Sequence, residues 1–155
     1  MTLLTSAVDL GTTNLKVVLY DEQVRCLAVA REPMRYRRED DRVEFDAEQV
    51  FDAVLRLIRS CAVRAGLDGH SGPAQIAVTG QAESLVLVDA DGLPVAPGIS
   101  WMDERSHLES AEIAERFDPE WAFAVTGEPE PVPTWPATKL RWLAHHRPEL
   151  LGRGH

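Results

Sequence analysis

The sequence lacks the features that mark secreted, membrane-spanning and nucleic-acid-binding chains. No apolar run approaches the roughly 20 residues that a membrane helix needs, and no basic segment precedes Asp9, which argues against a signal peptide. The two cysteines, Cys26 and Cys61, have no CxxC spacing, so we expect buried thiols in a reducing, cytoplasmic compartment. A net charge of -9 argues against nucleic acid and anionic membranes as partners.

What remains is the composition of a small globular domain. The 155 residues are 45% hydrophobic and 26% charged, which predicts one packed domain with a solvated surface. The densest basic stretch, residues 35–42, is interrupted by three acidic residues, Glu39, Asp40 and Asp41. This compensation is untypical of a nucleic-acid footprint, so we expect residues 35–44 to form a solvated loop.

The N-terminal third predicts strands joined by short turns. Apolar runs at residues 3–10, 15–20 and 24–30 are separated by turn-forming residues, which is typical of an antiparallel meander. Residues 75–79 predict a further short strand that is buried on both faces. Residues 85–88 and 93–96 flank Asp-Ala-Asp-Gly, a strong hairpin signal.

Three helices are predicted from periodicity and end signals. The first begins near Asp46, with Gln49 placed as in a capping box, and ends at Gly66. The second follows Arg105, with Ser106 and Glu109 as another capping box. The third spans residues 137–146 and is opened by a proline that ends a stiff, proline-rich loop.

The remaining aromatic and histidine residues are interpreted as structural. We expect the aromatic side chains of Trp121, Phe123 and Trp142 to lie in the core. His145 and His146 are adjacent on a helix and are expected to face different directions, which argues against a shared metal ion.

The turn at Asp9–Asn14, Asp-Leu-Gly-Thr-Thr-Asn, carries the sharpest local signal for chemistry. A tight turn at Gly11 exposes backbone N–H groups that can bind phosphate oxygens, and Thr12 and Thr13 add hydroxyl donors. Asp9 is suited to holding Mg²⁺ through water, and Lys16 adds positive charge. The alternative is an ordinary strand–turn–strand in which Asp and Thr side chains only satisfy the turn.

The Asp9–Asn14 motif resembles the first phosphate motif of the actin, Hsp70 and sugar kinase superfamily. It does not distinguish a chaperone from a kinase. The downstream order is a Gly80-Gln81 turn, an Asp-Gly-x-Pro hairpin, Trp-x-Asp-x-Arg at 101–105 and Lys-Leu-Arg-Trp-Leu at 139–143. This order is similar to that of the FGGY carbohydrate kinases over nearly the whole chain.

The resemblance implies a set of substrate contacts. Gln81 and Glu83 are expected to grip neighbouring hydroxyls, and Trp101 to pack on the C–H face of a sugar. Asp103 and Arg105 can bond further hydroxyls or each other. Each residue has a structural alternative: a surface carboxylate for Glu83, a core aromatic for Trp101, and a buried ion pair for Asp103 and Arg105.

Two adjacent positions distinguish this chain from well-known branches of the family. Ala82 stands where glycerol kinases have Arg and xylulokinases have Met, and Glu83 replaces the His that commonly follows that Met. These differences argue against glycerol and xylulose as substrates.

The resemblance also implies a fold and a reaction. We expect an α/β domain of the ribonuclease H-like (actin-like ATPase) type, with a mixed sheet and an antiparallel N-terminal meander, incomplete at its C-terminus. Residues 1–155 would be part of the first kinase domain, with the second domain absent. The expected activity of the full-length protein is phosphorylation of a sugar, sugar acid or polyol with ATP and Mg²⁺.

The catalytic base is not expected within this chain. In the resembling kinases, the Asp that accepts the hydroxyl proton lies beyond the position of His155. The chain alone is therefore expected to be inactive, and an unfinished sheet edge makes a homodimer plausible. The alternative is a non-catalytic nucleotide-binding or interaction domain, such as a chaperone-like lobe or a pseudokinase remnant.

Overall fold

The computed structural model describes residues 3–67 and 72–153. The chain divides into two compact units, Met1–Arg35 with Glu48–Gln81 and Tyr36–Ala47 with Ala82–His155. Along the chain the elements are β1 (Thr5–Leu10), β2 (Asn14–Tyr20), β3 (Cys26–Pro33), β4 (Arg37–Glu39), β5 (Arg42–Phe45), α1 (Ala47–Arg64), β6 (Gln75–Gly80), β7 (Gly98–Ile99), α2 (His107–Arg116), α3 (Pro119–Thr126), α4 (Pro136–His146) and α5 (Pro148–Leu151). No helix in the described residues is both long and apolar enough to cross a bilayer.

The first unit is built on a four-stranded mixed sheet with the order β3-β2-β1-β6. The strands β1, β2 and β3 form the predicted antiparallel meander, and β6 pairs parallel to β1. Since β1 and β6 run parallel, their carboxyl ends meet at one edge of the sheet, with Leu10 opposite Gly80. The turns after these two strands are therefore neighbours.

Helix α1 is attached to this sheet by apolar packing and by polar contacts. Its buried residues are Ala53, Leu57 and Cys61, at the helical spacing seen in the sequence. The Cys61 thiol donates to the carbonyl oxygen of Val17 at 3.4 Å. Burial raises the pKa of this thiol, so it stays protonated and unreactive at neutral pH.

The second unit contains a three-stranded sheet with the order β4-β5-β7 and the helices α2 to α5. Its core is formed by Ile99, Leu143 and Leu150, with partly buried leucines from residues 85 and 87 packed against them. The predicted turn at residues 89–92 is present. The Asp89 side chain stabilises it by accepting hydrogen bonds from the backbone N–H groups of Asp91 and Leu93. Its flanks pair only through an isolated bridge rather than as full strands.

Three expectations about local structure were wrong. Residues 35–44 are not a loop throughout, because β4 and β5 form a hairpin whose alternation buries Val43 and Phe45. Strand β6 is exposed along its whole length rather than buried, because, among the described elements, its main contacts are with its sheet neighbour β1 and no helix covers its faces closely. Cys26 is exposed at the start of β3. A homodimer through the exposed edge stays a prediction.

The aromatic residues of α3 also differ from the expectation. Trp121 and Phe123 are each 54% exposed, and α3 has no buried residue. The helix was missed because its eight residues are too few for a periodic signal. Asp118 caps it by accepting a hydrogen bond from the backbone N–H of Trp121 at 2.9 Å.

Gly98 provides a test of the second unit's packing. A Cβ atom at this position would lie 2.5 Å from Cζ of the Phe45 ring. We expect Gly98→Ala to lower the free energy of unfolding by about 1–3 kcal/mol, the usual cost of overpacking, as measured by urea denaturation. Gly72→Ala is the matched control, because nothing lies within 4 Å of its added Cβ.

The clash itself is tested by a double variant. If Phe45 causes the loss, Phe45→Leu should relieve part of the penalty of Gly98→Ala. The double variant should then lose less free energy of unfolding than the sum of the losses in the two single variants. Full additivity would contradict the packing argument.

Candidate functional site

The tight turn predicted between the first two strands forms as expected. Strand β1 ends at Leu10 and β2 begins at Asn14, so the chain reverses within Gly11, Thr12 and Thr13. A Cβ on Gly11 would lie 2.8 Å from the backbone oxygen of Asn14, which explains why this turn requires glycine. The Thr13 side chain is exposed.

The charged residues of the turn lie side by side. Asp9 and Lys16 are register partners across β1 and β2, and Lys16 Nζ is 3.6 Å from Asp9 Oδ2. Their side chains are 40% and 47% exposed, so solvent screens the pair strongly and it contributes little to stability. This arrangement leaves a carboxylate and an ammonium group available to solvent at the edge of the sheet.

Gln81 is positioned beside the Gly11–Thr13 turn. It follows Gly80 at the carboxyl end of β6, and its backbone N–H donates to the carbonyl oxygen of Leu10 at 3.0 Å. The first unit thus brings Gln81 together with the Asp9–Asn14 motif, in agreement with the order of motifs in the sequence.

Glu83 has an unusual backbone conformation. Its φ is +61°, a left-handed value that non-glycine residues rarely adopt. Such strain persists only where the surrounding structure enforces it, and it is concentrated at functional sites. The side chain is half-buried, so Glu83 is not a freely solvated surface carboxylate.

The segment after Glu83 is fixed against Trp101. Leu85 and Ile99 exchange two backbone hydrogen bonds of 2.8 Å each, and the Trp101 N–H donates to Ser84 Oγ at 3.1 Å. The Trp101 side chain is half-buried. The second unit therefore places Glu83 and Trp101 on adjacent, hydrogen-bonded stretches.

Asp103 and Arg105 are bonded to each other. Asp103 Oδ1 accepts from Arg105 Nε and Oδ2 accepts from Arg105 Nη2, both at 2.8 Å. Oδ2 also accepts from the Val43 backbone N–H at 2.6 Å, and Arg105 Nη2 reaches Glu44 Oε1 at 2.7 Å. The Asp103 side chain has no exposed surface. Asp103 and Arg105 therefore form a buried ion pair, which is the structural alternative given for them in the sequence analysis.

The electrostatics of this network favour the charged state of Arg105. Burial would lower the pKa of Arg105, but the hydrogen bonds that Arg105 donates to Asp103 and Glu44 outweigh it, and the pKa is raised. The guanidinium also lies over the Trp142 ring, 5.1 Å from its centroid.

Lys139 is a buried charge that the sequence analysis did not single out as a site residue. Its side chain has no exposed surface, and its Nζ donates to the carbonyl oxygen of Thr134. Burial lowers the pKa of Lys139 to about 8, although the nearby carboxylates of Asp103 and Glu83 oppose the shift. The only signal in the sequence is its place in the Lys-Leu-Arg-Trp-Leu motif.

A surface cavity of about 590 Å³ lies elsewhere in the second unit. It is lined by Glu112, Ile113, Glu115, Arg116 and Phe117 of the α2 region and by Arg141 of α4. None of the predicted site residues contributes to it. Its mixed, charged lining gives no indication of a sugar or nucleotide site.

Comparison with known proteins identifies the family. Residues 4–155 match the model of the FGGY family of carbohydrate kinases, N-terminal domain. The chain belongs to the FGGY family of carbohydrate kinases. The ribonuclease H-like, mixed-sheet fold expected from the sequence is that of its FGGY structural relatives.

Individual FGGY relatives cover nearly all of this chain but only part of their own length. Glycerol kinase from Thermococcus gammatolerans is 30% identical over 148 residues, covering 93% of this chain and 29% of the relative. Glycerol kinase from Cereibacter sphaeroides is 33% identical over 146 residues, with coverages of 90% and 28%. The crystal structure of xylulose kinase from Rhodospirillum rubrum superposes with a TM-score of 0.87 at 28% identity, with coverages of 99% and 31%. The chain thus spans less than a third of these FGGY kinases.

Lys139 gives this FGGY domain a predictable pH dependence. Its ordinary pKa of 10.5 is restored on unfolding, so between pH 8 and 10.5 the unfolded chain binds a proton that the folded chain does not. The free energy of unfolding should therefore rise with pH across this window, by at most about 1.4 kcal/mol per pH unit. Below pH 8 the destabilising effect of burying the charge is fully present.

The measurement is urea denaturation at several pH values from 7.5 to 10 for the wild type and for Lys139→Met, with the pH range set by the two pKa values above. The variant should lack this contribution, so its stability should rise less steeply with pH than that of the wild type. Identical slopes would show that Lys139 stays charged in the folded state.

Proposed function

We propose that the full-length protein transfers the γ-phosphoryl group of ATP to a hydroxyl of a sugar, sugar acid or polyol. The observation that carries this proposal is the position of Gln81 beside the Asp9–Asn14 turn at one edge of the sheet. The family match and the names of the relatives, glycerol and xylulose kinases, support the reaction class. Since ATP is the donor, we propose that the protein works in the cytoplasm.

The phosphate turn is assigned to ATP. Gly11 allows the backbone to approach phosphate oxygens closely, while Thr12, Thr13 and Asn14 provide polar groups around it. Lys16 supplies a cation near the turn, and its 47% exposure leaves it able to meet a ligand. In other phosphoryl-transfer enzymes such groups act mainly by positioning the phosphates and stabilising their charge.

Asp9 is the residue assigned to Mg²⁺. Its carboxylate is 40% exposed and stands beside the phosphate turn, which fits an ion that keeps several of its waters. When bound, Mg²⁺ neutralises negative charge on the phosphate oxygens. Asp9 would hold the hydrated ion, and Lys16, now paired with it, would be released toward the phosphates.

The substrate hydroxyls are assigned to Gln81, Glu83 and Trp101. Glu83 is held in a strained conformation beside the stretch that carries Trp101, so a carboxylate and an aromatic face are offered together. Asp103 and Arg105 were expected to contact substrate, but their mutual bonds and burial support a positioning role instead. We assign no catalytic base to this chain and propose that an Asp from the rest of the full-length protein accepts the hydroxyl proton.

The proposal is tested by kinase assays of the full-length protein with MgATP and a panel of polyols, ketoses, aldoses and aldonates. We expect ADP release that depends on one class of acceptor and is abolished by Asp9→Asn. ATP binding without acceptor-dependent ADP release from any member of the panel would instead support a non-catalytic nucleotide-binding domain.

Glu83 is tested with the acceptor found in that assay. Hydrogen bonds to a charged group contribute roughly 1.5–3 kcal/mol, so Glu83→Ala should lower kcat/KM for the acceptor by about 10- to 150-fold. The KM for ATP should change little, because Glu83 is not part of the phosphate turn. Glu83→Gln keeps the shape and should lose less.

The control for this experiment is Glu120→Ala, which removes an exposed carboxylate on α3. It should leave both constants unchanged. If Glu83→Ala behaves like this control, Glu83 is a structural carboxylate and does not contact the substrate.

A further inference from the structure

Glu109, on the buried face of α2, is a carboxylate without adequate compensation. Its side chain is 4% exposed, and Oε2 has no hydrogen-bond partner among the described residues. The capping box expected with Ser106 does not form, because Ser106 Oγ bonds to the Pro133 carbonyl oxygen and to Thr138 Oγ1 instead. A buried carboxylate requires a partner that offsets its charge.

Two histidines from the end of α4 approach the other oxygen of this carboxylate. Glu109 Oε1 lies 3.5 Å from His145 Nδ1 and 3.4 Å from His146 Nε2. The expectation that adjacent histidines face different directions was therefore wrong. Nδ1 of His145 and Nε2 of His146 both approach Oε1 of Glu109.

The separations of these atoms fit a metal coordination sphere. Ligands at the usual 2.0–2.1 Å from tetrahedral Zn²⁺ are about 3.3 Å from one another. The two distances from Glu109 Oε1 to the histidine nitrogens, 3.4 and 3.5 Å, are close to this separation between ligands. All three ligand atoms lie within 4.8 Å of one another.

The surroundings favour a fixed arrangement of the ligands. The His146 ring stacks on Trp142 with centroids 4.7 Å apart, which limits its rotation. One turn away, Arg141 of α4 pairs with Glu112 of α2 at 3.1 Å and helps to hold the two helices together. The histidines are 35% and 52% exposed, so an ion can enter from solvent and retain water as a further ligand.

We propose that Glu109, His145 and His146 bind a divalent transition metal of the Zn²⁺ type. One carboxylate oxygen and two imidazole nitrogens are ligands that Zn²⁺ accepts and that Mg²⁺, which prefers oxygen, does not select. The ion supplies the positive charge that imidazoles carry only when protonated. By joining α2 to α4, it stabilises the second unit independently of any sugar or ATP.

The test uses the 155-residue chain, with any affinity tag removed and with metals stripped by a chelator. We expect isothermal titration with ZnCl₂ to show one binding site per chain. MgCl₂ should not compete with Zn²⁺ for this site. Co²⁺ should produce the visible absorption bands of a low-coordinate nitrogen and oxygen site. This measurement needs no variant, so it does not depend on how a substitution folds.

Variants assign the ligands. The double variant His145→Gln/His146→Gln alters only exposed side chains and should weaken Zn²⁺ binding by more than the 10- to 100-fold typical of losing a supporting contact at a metal site. Glu109→Gln should weaken binding as well. His107→Gln, an exposed histidine on α2, is the matched control and should bind like the wild type.

Absence of Zn²⁺ binding to the wild type, or equal binding by the double histidine variant, would overturn the proposal. The cluster would then be a contact between Glu109 and the two histidines that binds no metal ion. Neither result bears on the kinase assays, which can succeed or fail separately.

Discussion

The guanidinium of Arg105 joins parts of the second unit that are far apart in the sequence. It forms a bidentate ion pair with Asp103 and donates a further hydrogen bond to Glu44 of β5. Asp103 also accepts a hydrogen bond from the backbone N–H of Val43. The hairpin at residues 37–45 is thereby anchored to the stretch at residues 98–105. Because the side chains of Asp103 and Arg105 are almost fully buried, removing one of them would leave the other uncompensated, which typically costs about 3–5 kcal/mol.

A second buried cation lies close to this network. Lys139 interacts with the carboxylates of Asp103 and Glu83, yet burial still lowers its pKa to about 8. Charged groups in such surroundings are sensitive to small changes in their neighbours. The arrangement explains how the Trp-x-Asp-x-Arg and Lys-Leu-Arg-Trp-Leu motifs, separated by more than thirty residues in the sequence, act as one structural element.

Sequence reasoning recovered the features that depend on local patterns. The meander, the turn at Gly11 and the first helix follow from apolar periodicity and turn residues, and all are present. The hairpin at residues 37–45 was missed because Arg37, Arg38 and Arg42 mask the alternation that buries Val43 and Phe45. Burial of Lys139 was missed because lysine is rarely buried, and only tertiary contacts reveal an exception.

The pattern Ser106-x-x-Glu109 shows why a motif alone does not fix a contact. The same spacing that forms a capping box leaves both side chains free to bond elsewhere when tertiary partners are better placed. Here the Ser106 hydroxyl hydrogen-bonds to Thr138, and the Glu109 carboxylate lies against two histidines of α4. Helix α2 therefore begins without side-chain capping, and the carboxylate joins two helices instead of one turn.

The proposed substrate contacts have a consequence for the kind of ligand that fits. Glu83 is a carboxylate, and Ala82 before it supplies no cation. Lys139 is buried and bonded to the Thr134 carbonyl oxygen, and Arg105 is paired with Asp103 and Glu44. A substrate carboxylate placed near Glu83 would be repelled by it, and the buried Lys139, whose charge already interacts with Glu83 and Asp103, offsets this only in part, whereas neutral hydroxyls would donate to Glu83. If Glu83 contacts the substrate as proposed, its surroundings favour neutral sugars and polyols over sugar acids.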